Sequence, residues 1–132
     1  MIEKGGFDIV GHLDKIASNG SNYADFDSSE RWYNDLLTET LYLVKEKDLI
    51  LEINTKSLTE KGISFPNQRY YSLINELHIP IMVNSDCHYP TNVIDGFRST
   101  YAALKEAGFK TMHQLINGKW QAVPFNENGL ID

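Results

Sequence analysis

Three short apolar runs stand out along the chain, and each of them gives way abruptly to polar residues. They occupy residues 7–10, 49–54 and 79–83. Runs of this length, rich in β-branched residues, are typical of strands that are buried in a parallel sheet. The pattern therefore predicts three buried strands, with polar side chains collected where each strand ends.

Helical periodicity fills the segments between and after these runs. Apolar or small residues recur three and four positions apart, which is the spacing of a helix face that packs on a sheet. The three stripes are Tyr33, Leu36, Leu37, Thr40, Leu41 and Val44; Tyr70, Leu73, Ile74 and Leu77; and Ile94, Phe97, Tyr101 and Leu104. A capping-box pattern at 27–30, Pro66 and the pair at 90–91 predict where the three helices begin, and Gly108 predicts where the third one ends.

The last part of the chain has a different pattern. Residues 111–116 and 119–123 are separated by Asn117-Gly118, which is a strong local signal for a β-hairpin. Before it, strands alternate with helices. This order predicts an α/β fold of parallel strands and helices with a C-terminal hairpin, in which functional residues gather at the carboxyl edge of the sheet.

Several common sites are missing from this framework. An open doubly wound sheet would fit the same alternation, but the first strand is not followed by a Gly-x-Gly-x-x-Gly turn, and no Gly-rich phosphate loop or Gly-x-Ser-x-Gly elbow occurs. Nucleotide binding and serine hydrolysis are therefore disfavoured. Residues 18–29, rich in Ser, Asn, Asp and Gly, predict a surface loop that either covers a site or only connects elements, and 56–65 predict a second polar connection.

Composition narrows the class of protein further. The 132 residues are expected to form a single domain, with 42% hydrophobic and 23% charged residues. The net charge of −6 and the lack of a Lys/Arg cluster argue against nucleic acid as a partner. The single cysteine excludes an internal disulfide framework. Since no apolar signal core or membrane-length segment is present, we expect a cytoplasmic protein that does not bind membranes.

Candidate chemistry follows the third run, at Asp86 and His88. In an extended chain these two side chains point the same way, so a carboxylate oxygen and an imidazole nitrogen could bind one divalent metal, while Cys87 faces away. His12 follows the first run in a similar position. The structural alternative is that Asp86 starts a turn and both histidines hydrogen-bond to nearby backbone.

Three further polar residues have simpler interpretations. Glu52 lies within an apolar strand, where a carboxylate must be paired, protonated or used, and structural pairing is the favoured interpretation. His78 is predicted to lie at a helix terminus and His113 in a surface strand, and neither is expected to bind a metal.

Three segments together resemble a known family. They lie at 7–14 (FDIVGHLD), 51–55 (LEINT) and 84–88 (NSDCH). In combination they are similar to the later motifs of the polymerase-and-histidinol-phosphatase (PHP) family, and most of all to its histidinol-phosphatase branch. The resemblance implies the distorted (β/α)7 TIM-like barrel of that family and metal-dependent hydrolysis of L-histidinol phosphate to L-histidinol and phosphate, in histidine biosynthesis. It also implies divalent zinc, manganese or iron as cofactor.

The resemblance assigns roles to particular residues. It makes His12, Asp86 and His88 the metal ligands and catalytic residues, and it places Asn54 beside the substrate. Relatives carry a Gly and an Arg after this segment, so Lys56 or Lys61 would have to hold the phosphate here.

The resemblance also implies an incomplete barrel. The family's earlier histidine and glutamate motifs would lie upstream of residue 1, so residues 1–132 are expected to be the C-terminal half of a barrel that pairs with an N-terminal half or with a second copy. Two other functions stay open at this point. One is a PHP-type phosphoesterase of another specificity, and the other is a non-catalytic half-barrel subunit.

Overall fold

The three apolar runs form the strands of a parallel sheet in the computed structural model, which describes residues 1–20, 23 and 25–131. The strands are β1 (Ile9–Val10), β2 (Ile50–Asn54) and β3 (Ile81–Asn84), in the order β1-β2-β3. Strands β1 and β3 therefore each begin two residues later than the sequence pattern predicts. For β3 the reason is Pro80, which has no N–H to donate to the ladder and only accepts a bond from Leu51 N (2.8 Å).

Five α-helices accompany the strands in the described part of the chain. They are α1 (Lys15–Gly20), α2 (Arg31–Glu46), α3 (Leu58–Lys61), α4 (Tyr71–Glu76) and α5 (Phe97–Glu106). None of the helices in this part of the chain is long and apolar enough to cross a membrane. The fold is thus mixed α/β, as the alternation of patterns predicts.

One face of the parallel sheet packs against the helices. Side chains alternate along a strand, so Leu51 and Ile53 of β2 point to the same side as Ile81 and Val83 of β3. These four residues belong to one buried cluster with apolar residues of three helices, namely Leu37, Leu41, Val44, Ile74, Tyr101 and Leu104. The opposite face carries Glu52.

The predicted helix starts need correction. Helix α2 begins at Arg31, and Asp27 does not complete a capping box, because its Oδ1 atom accepts a bond from Ser29 N (2.7 Å) in a local turn. Leu36, assigned to the buried stripe, is 55% exposed. At the second helix, Pro66 precedes a 3₁₀ turn at Gln68–Tyr70 and α4 follows that turn.

The third predicted helix also begins later than the pattern suggests. Pro90–Asn92 form a separate 3₁₀ turn, and α5 starts only after Gly96, whose φ of 74° interrupts the helical backbone. Ile94 therefore lies outside the helix and is 74% exposed. Gly108, at φ 96°, follows the helix end as predicted.

Both predicted connections contain helical residues. Residues 18–20 belong to α1, so the predicted loop 18–29 is shorter than expected, and its positions 21, 22 and 24 lie outside the described residues. The segment 56–65 contains the short helix α3. Segments this polar do not reveal single helical turns, because no apolar face repeats in them.

The C-terminal hairpin is present and longer than predicted. Strand β4 (Thr111–Ile116) pairs antiparallel with β5 (Lys119–Asn126), and β5 continues to a short β6 (Gly129–Leu130). Asn117 and Gly118 both have positive φ, at 51° and 75°, as the two-residue turn requires. Thus a second, antiparallel sheet stands beside the parallel one, and Trp120 Nε1 donates to Asp8 Oδ2 (3.1 Å) between them.

The core assignment of α2 can be tested with two leucines of one helix. Leu41 has no exposed surface, whereas Leu36 is 55% exposed. Leu41→Ala should lower the free energy of unfolding by about 2–5 kcal/mol, because it leaves a cavity, and Leu36→Ala should change it by well under about 1 kcal/mol. Urea unfolding followed by circular dichroism measures both. Equal losses would contradict the packing of α2 described here.

Candidate functional site at the carboxyl edge of the parallel sheet

Residues that follow β1 and β3 have unusual backbone conformations. Three of them, none a glycine, have positive φ: His12 at 32°, Asp14 at 76° and Asp86 at 46°. Side-chain-bearing residues adopt this region at a cost, and such residues cluster at functional sites. The alternation argument for Asp86 and His88 is therefore wrong in its geometry, because the extended chain ends at Asn84 and Asp86 is left-handed.

A buried carboxylate connects the three strands at this edge. Glu52 of β2 is 7% exposed and accepts three hydrogen bonds. Its Oε2 atom accepts from the backbone N–H of His12 (2.6 Å) and from Asn54 Nδ2 (3.1 Å), and its Oε1 atom accepts from Asn84 Nδ2 (2.8 Å). Charge-assisted bonds of this kind offset the desolvation of a carboxylate. The interpretation of Glu52 as structurally paired is confirmed.

The register of β2 and β3 brings the next residues together. Asn54 lies beside Asn84 in the ladder, and Thr55 N donates to Asn84 O (2.9 Å). Lys56 and Asp86 each come two residues after the end of β2 and β3, respectively. Lys56 Nζ lies 3.3 Å from Asp86 Oδ2, in an ion pair whose side chains are 35% and 30% exposed.

His88 completes this cluster. Its Nε2 atom lies 3.3 Å from Lys56 Nζ, and its Nδ1 atom lies 2.9 Å from the backbone oxygen of Asp86. A carbonyl oxygen only accepts, so Nδ1 must carry the proton and donate it. The lone pair of the neutral ring is then on Nε2 and faces the ammonium group. This is also the tautomer that a histidine ligand of a metal adopts when a carbonyl fixes its other nitrogen.

The charge of Asp86 is set by two opposing effects. Partial burial acts to raise its pKa, but the hydrogen bond and positive charge of Lys56, with smaller contributions from Asn54 and His88, lower it below the ordinary value. Asp86 is therefore an anionic carboxylate at neutral pH. Together Asp86 and His88 present two electron-pair donors to one positive charge.

His12 is held by a different set of contacts. Its backbone bonds to Glu52, and the loop that carries it is anchored by the buried Asp14, which accepts from Tyr33 OH (2.5 Å) and from Asn67 N (3.1 Å). Burial and the neighbouring Asp14 raise the pKa of Tyr33, so Tyr33 remains a neutral donor. The sequence predicts Asp14 in a loop and Tyr33 in a helix, but it does not show that the two side chains meet. This contact was therefore not predicted.

The predicted ligand set is only partly assembled. Asp86 and His88 are neighbours, whereas His12 lines a separate groove of about 540 Å³ beside residues that include Asp14 and Thr40. Among the described residues, no group of three or more His, Cys, Asp and Glu side chains is arranged to hold a metal. The assignment of His12, Asp86 and His88 as ligands of one metal centre stays a prediction.

The predicted substrate residues occupy three different environments. Asn54 has no exposed surface and bonds both to Glu52 and, through Oδ1, to Lys56 N (3.1 Å). Lys56 is in the cluster with Asp86. Lys61 donates to Ser18 Oγ (2.7 Å) on α1 and so takes part in a different contact. The structure thus places Asn54 in a positioning role and leaves Lys56 as the cation nearest to the candidate ligands.

The remaining sequence interpretations concern Cys87, His78 and His113. Cys87 is exposed. His78 lies two residues after the end of α4, at φ 54°, and its backbone oxygen accepts from Lys45 Nζ (3.3 Å). His113 lies in β4, where burial lowers its pKa although Asp48 acts in the opposite direction. Asn84, which binds Glu52, was missed, although its place directly after an apolar run was a usable signal.

Comparison with known proteins gives a limited likeness. The chain is 26% identical over 107 residues to a Clostridium acetobutylicum protein named "Probable histidinol-phosphatase". The match covers 78% of this chain and 40% of that protein, so the chain spans less than half the length of the curated relative it matches. No protein-family model matches the chain. The likeness supports a distant relation to a protein of that name, and it does not establish a family.

The role of Glu52 can be tested by removing its charge without changing its shape. Glu52→Gln replaces one acceptor oxygen by an NH₂ group that faces N–H donors, so at least one of the three bonds is lost. We expect a loss of about 1–3 kcal/mol in the free energy of unfolding, and faster hydrogen exchange at the His12 amide. Glu60→Gln, on the exposed side of α3, is the matched control. A Glu52→Gln variant as stable and as protected as this control would contradict the role of Glu52.

Proposed function

We propose that this chain carries part of the active site of a metal-dependent phosphomonoesterase that hydrolyses L-histidinol phosphate. The observation that supports this most directly is the convergence of Asp86 Oδ2 and His88 Nε2 on one cationic group at the carboxyl edge of a parallel sheet. Sites in barrels of parallel strands and helices are built at this edge. The named relative supplies the reaction, since a protein with that name acts on histidinol phosphate.

The residues at the edge fit a divalent metal chemically. Asp86 offers an anionic oxygen and His88 an imidazole nitrogen whose tautomer is already fixed, which is a donor set that zinc, manganese and iron accept. His12 is proposed as a further ligand from the end of β1. The chemistry that a divalent ion supplies in such a site is polarisation of the phosphoryl oxygens and activation of a water molecule.

The chain's own residues provide the rest of the proposed site. Lys56 places a positive charge at the edge, where it can attract the phosphate dianion of the substrate. Asn54 fixes the backbone of Lys56, and Glu52 fixes both Asn54 and the loop that carries His12. Substrate recognition would therefore depend on the Lys56 ammonium group, whose backbone is held in place by Asn54.

We further propose that the complete site belongs to a longer barrel. The chain spans 40% of its relative, and the three parallel strands would form the C-terminal part of a (β/α)7 barrel in which other strands supply additional ligands. The whole protein would be cytoplasmic, and in this proposal it takes part in histidine biosynthesis.

A second candidate function is a metal-free half-barrel subunit that serves assembly. It is favoured by the absence of a three-ligand group among the described residues and by the way Lys56 already satisfies Asp86 and His88. Metal binding separates the two functions, because a subunit that serves only assembly has no need to bind zinc or manganese at Asp86.

The catalytic proposal is tested by phosphate release from histidinol phosphate with Zn²⁺ or Mn²⁺. The chain is assayed alone and together with the part of the Clostridium acetobutylicum relative that the match does not cover. Asp86→Asn should lower both metal binding and rate by at least about tenfold, because it removes the anionic ligand.

Cys87→Ala is the matched control and should leave the rate within about twofold, since the Cys87 side chain is exposed and has no proposed role. Phosphate release that is absent in both arrangements, or that is the same in Asp86→Asn and in the unchanged chain, would contradict the proposal.

Assembly gives an independent test of the half-barrel. Ile9 and Met82 lie on the face of the sheet that carries Glu52, and both are partly exposed, although parallel sheets are usually covered on both faces. We expect light scattering to detect self-association of the isolated chain, and Met82→Glu to reduce it. Leu36→Glu, on the exposed side of α2, should have no effect. A monomer at all concentrations would contradict the incomplete barrel.

A further inference from the structure

The Lys56 ammonium lies where the two candidate metal donors converge. Its Nζ atom is 3.3 Å from Asp86 Oδ2 and 3.3 Å from His88 Nε2. The side chains of Lys56 and Asp86 are 35% and 30% exposed, so the contact is open to solvent and can be exchanged. Lys56 therefore neutralises the donor pair from within the chain.

The contacts of Lys56 with Asp86 and with His88 differ in whether a metal could bind the same atom while the ammonium group stays in place. A carboxylate oxygen has more than one lone pair and can accept from two partners. In the tautomer whose Nδ1 donates to the Asp86 carbonyl, the His88 ring has a single lone pair in its plane, on Nε2. This lone pair cannot bind the ammonium and a metal at the same time. Competition between them is therefore strict at His88.

The backbone of Lys56 stays fixed while its side chain exchanges. Asn54 Oδ1 accepts from Lys56 N (3.1 Å), and Asn54 is itself buried and bonded to Glu52. An ammonium group displaced from Asp86 would consequently stay close to it, because the Lys56 backbone remains at the end of β2. With a metal on Asp86 and His88, the ammonium group would be available to an anion.

We propose that Lys56 is an internal competitor of the metal at Asp86 and His88, and that its displacement on metal binding turns it into the phosphate-binding cation. This inference rests on the proposed function for the identity of the metal and of the phosphate. It favours binding of the metal before phosphate, since Asp86 and His88 hold the Lys56 ammonium group until a metal replaces it. It also assigns two successive roles to one lysine.

Removing the ammonium group tests the competition directly. Zn²⁺ affinity is measured by calorimetry at a fixed pH near neutrality, and Co²⁺ absorption reports the ligands. Lys56→Gln should bind Zn²⁺ about two- to fivefold more tightly than the unchanged chain, which corresponds to the loss of one partly exposed ion pair. Lys56→Arg keeps the charge and should not gain affinity in this way.

Lys61→Gln is the matched control for net charge. It removes the same positive charge five residues away, from a side chain that contacts Ser18 and not Asp86. If Lys61→Gln gains as much affinity as Lys56→Gln, the effect is one of overall charge and the proposal is wrong. Unchanged affinity in Lys56→Gln would also overturn it.

The second role has its own readout. Binding of inorganic phosphate, followed by ³¹P NMR, should require Zn²⁺ in the unchanged chain and should be weakened in Lys56→Gln even when Zn²⁺ is saturating. Phosphate that binds equally well without Zn²⁺ would overturn the order of events.

Asp86→Asn separates this inference from the proposed function. Zn²⁺ binding unaffected by Asp86→Asn refutes the metal site itself, whereas binding that is lost there but unchanged in Lys56→Gln refutes only the competition.

Discussion

A single buried carboxylate, that of Glu52, determines how the carboxyl edge of the sheet is built. Its three donors come from the ends of three different strands, so all of them are satisfied only when β1, β2 and β3 are in their observed register. A slip of one residue would turn Glu52 toward the apolar helices, where a carboxylate without donors is very unfavourable. Glu52 thus acts as a register lock, and the loops beyond the strands inherit their positions from it.

The candidate site follows from this lock with few further requirements. Since Asn54 pairs with Asn84, the chain places Lys56 and Asp86 at equivalent distances beyond their strands, and an ion pair between them needs no additional support. The left-handed conformation of Asp86 then turns the chain back, so that its own carbonyl accepts from His88. The left-handed backbone of this one residue thereby orients two donor atoms toward one point.

The extent to which the sequence predicted this arrangement differs between its parts. Buried strands were predictable because Leu51, Ile53, Ile81 and Val83 belong to apolar runs that have no other stable place. The pairing of Glu52 was predictable for the same reason, since a carboxylate in such a run requires donors. The identity of those donors was not predictable, because it depends on which strands are neighbours.

Other misses have local causes. The exposure of Ile94 and the late start of α5 depend on a positive φ at Gly96, and hydrophobic periodicity carries no information on backbone handedness. Periodicity also gave no sign of the left-handed backbone at Asp86. Strand alternation placed the Asp86 and His88 side chains near each other, which they are, but the extended backbone that it assumed is not present. Leu36 shows a further limit of hydrophobic periodicity. It fits the helical period of the buried stripe, yet its side chain is exposed to solvent and does not pack on the sheet.

The order of the strands also explains why His12 stands apart from the other two candidate ligands. His12 follows β1 and Asp86 follows β3, with β2 between them. Two interstrand spacings separate the backbones by roughly 10 Å, so both side chains would have to reach toward a shared ion. A centre shared by His12, Asp86 and His88 must therefore extend across the end of β2, where Lys56 lies. In the proposed centre, the position of the Lys56 side chain at the end of the middle strand would therefore decide whether the residues after β1 and β3 can bind the same ion.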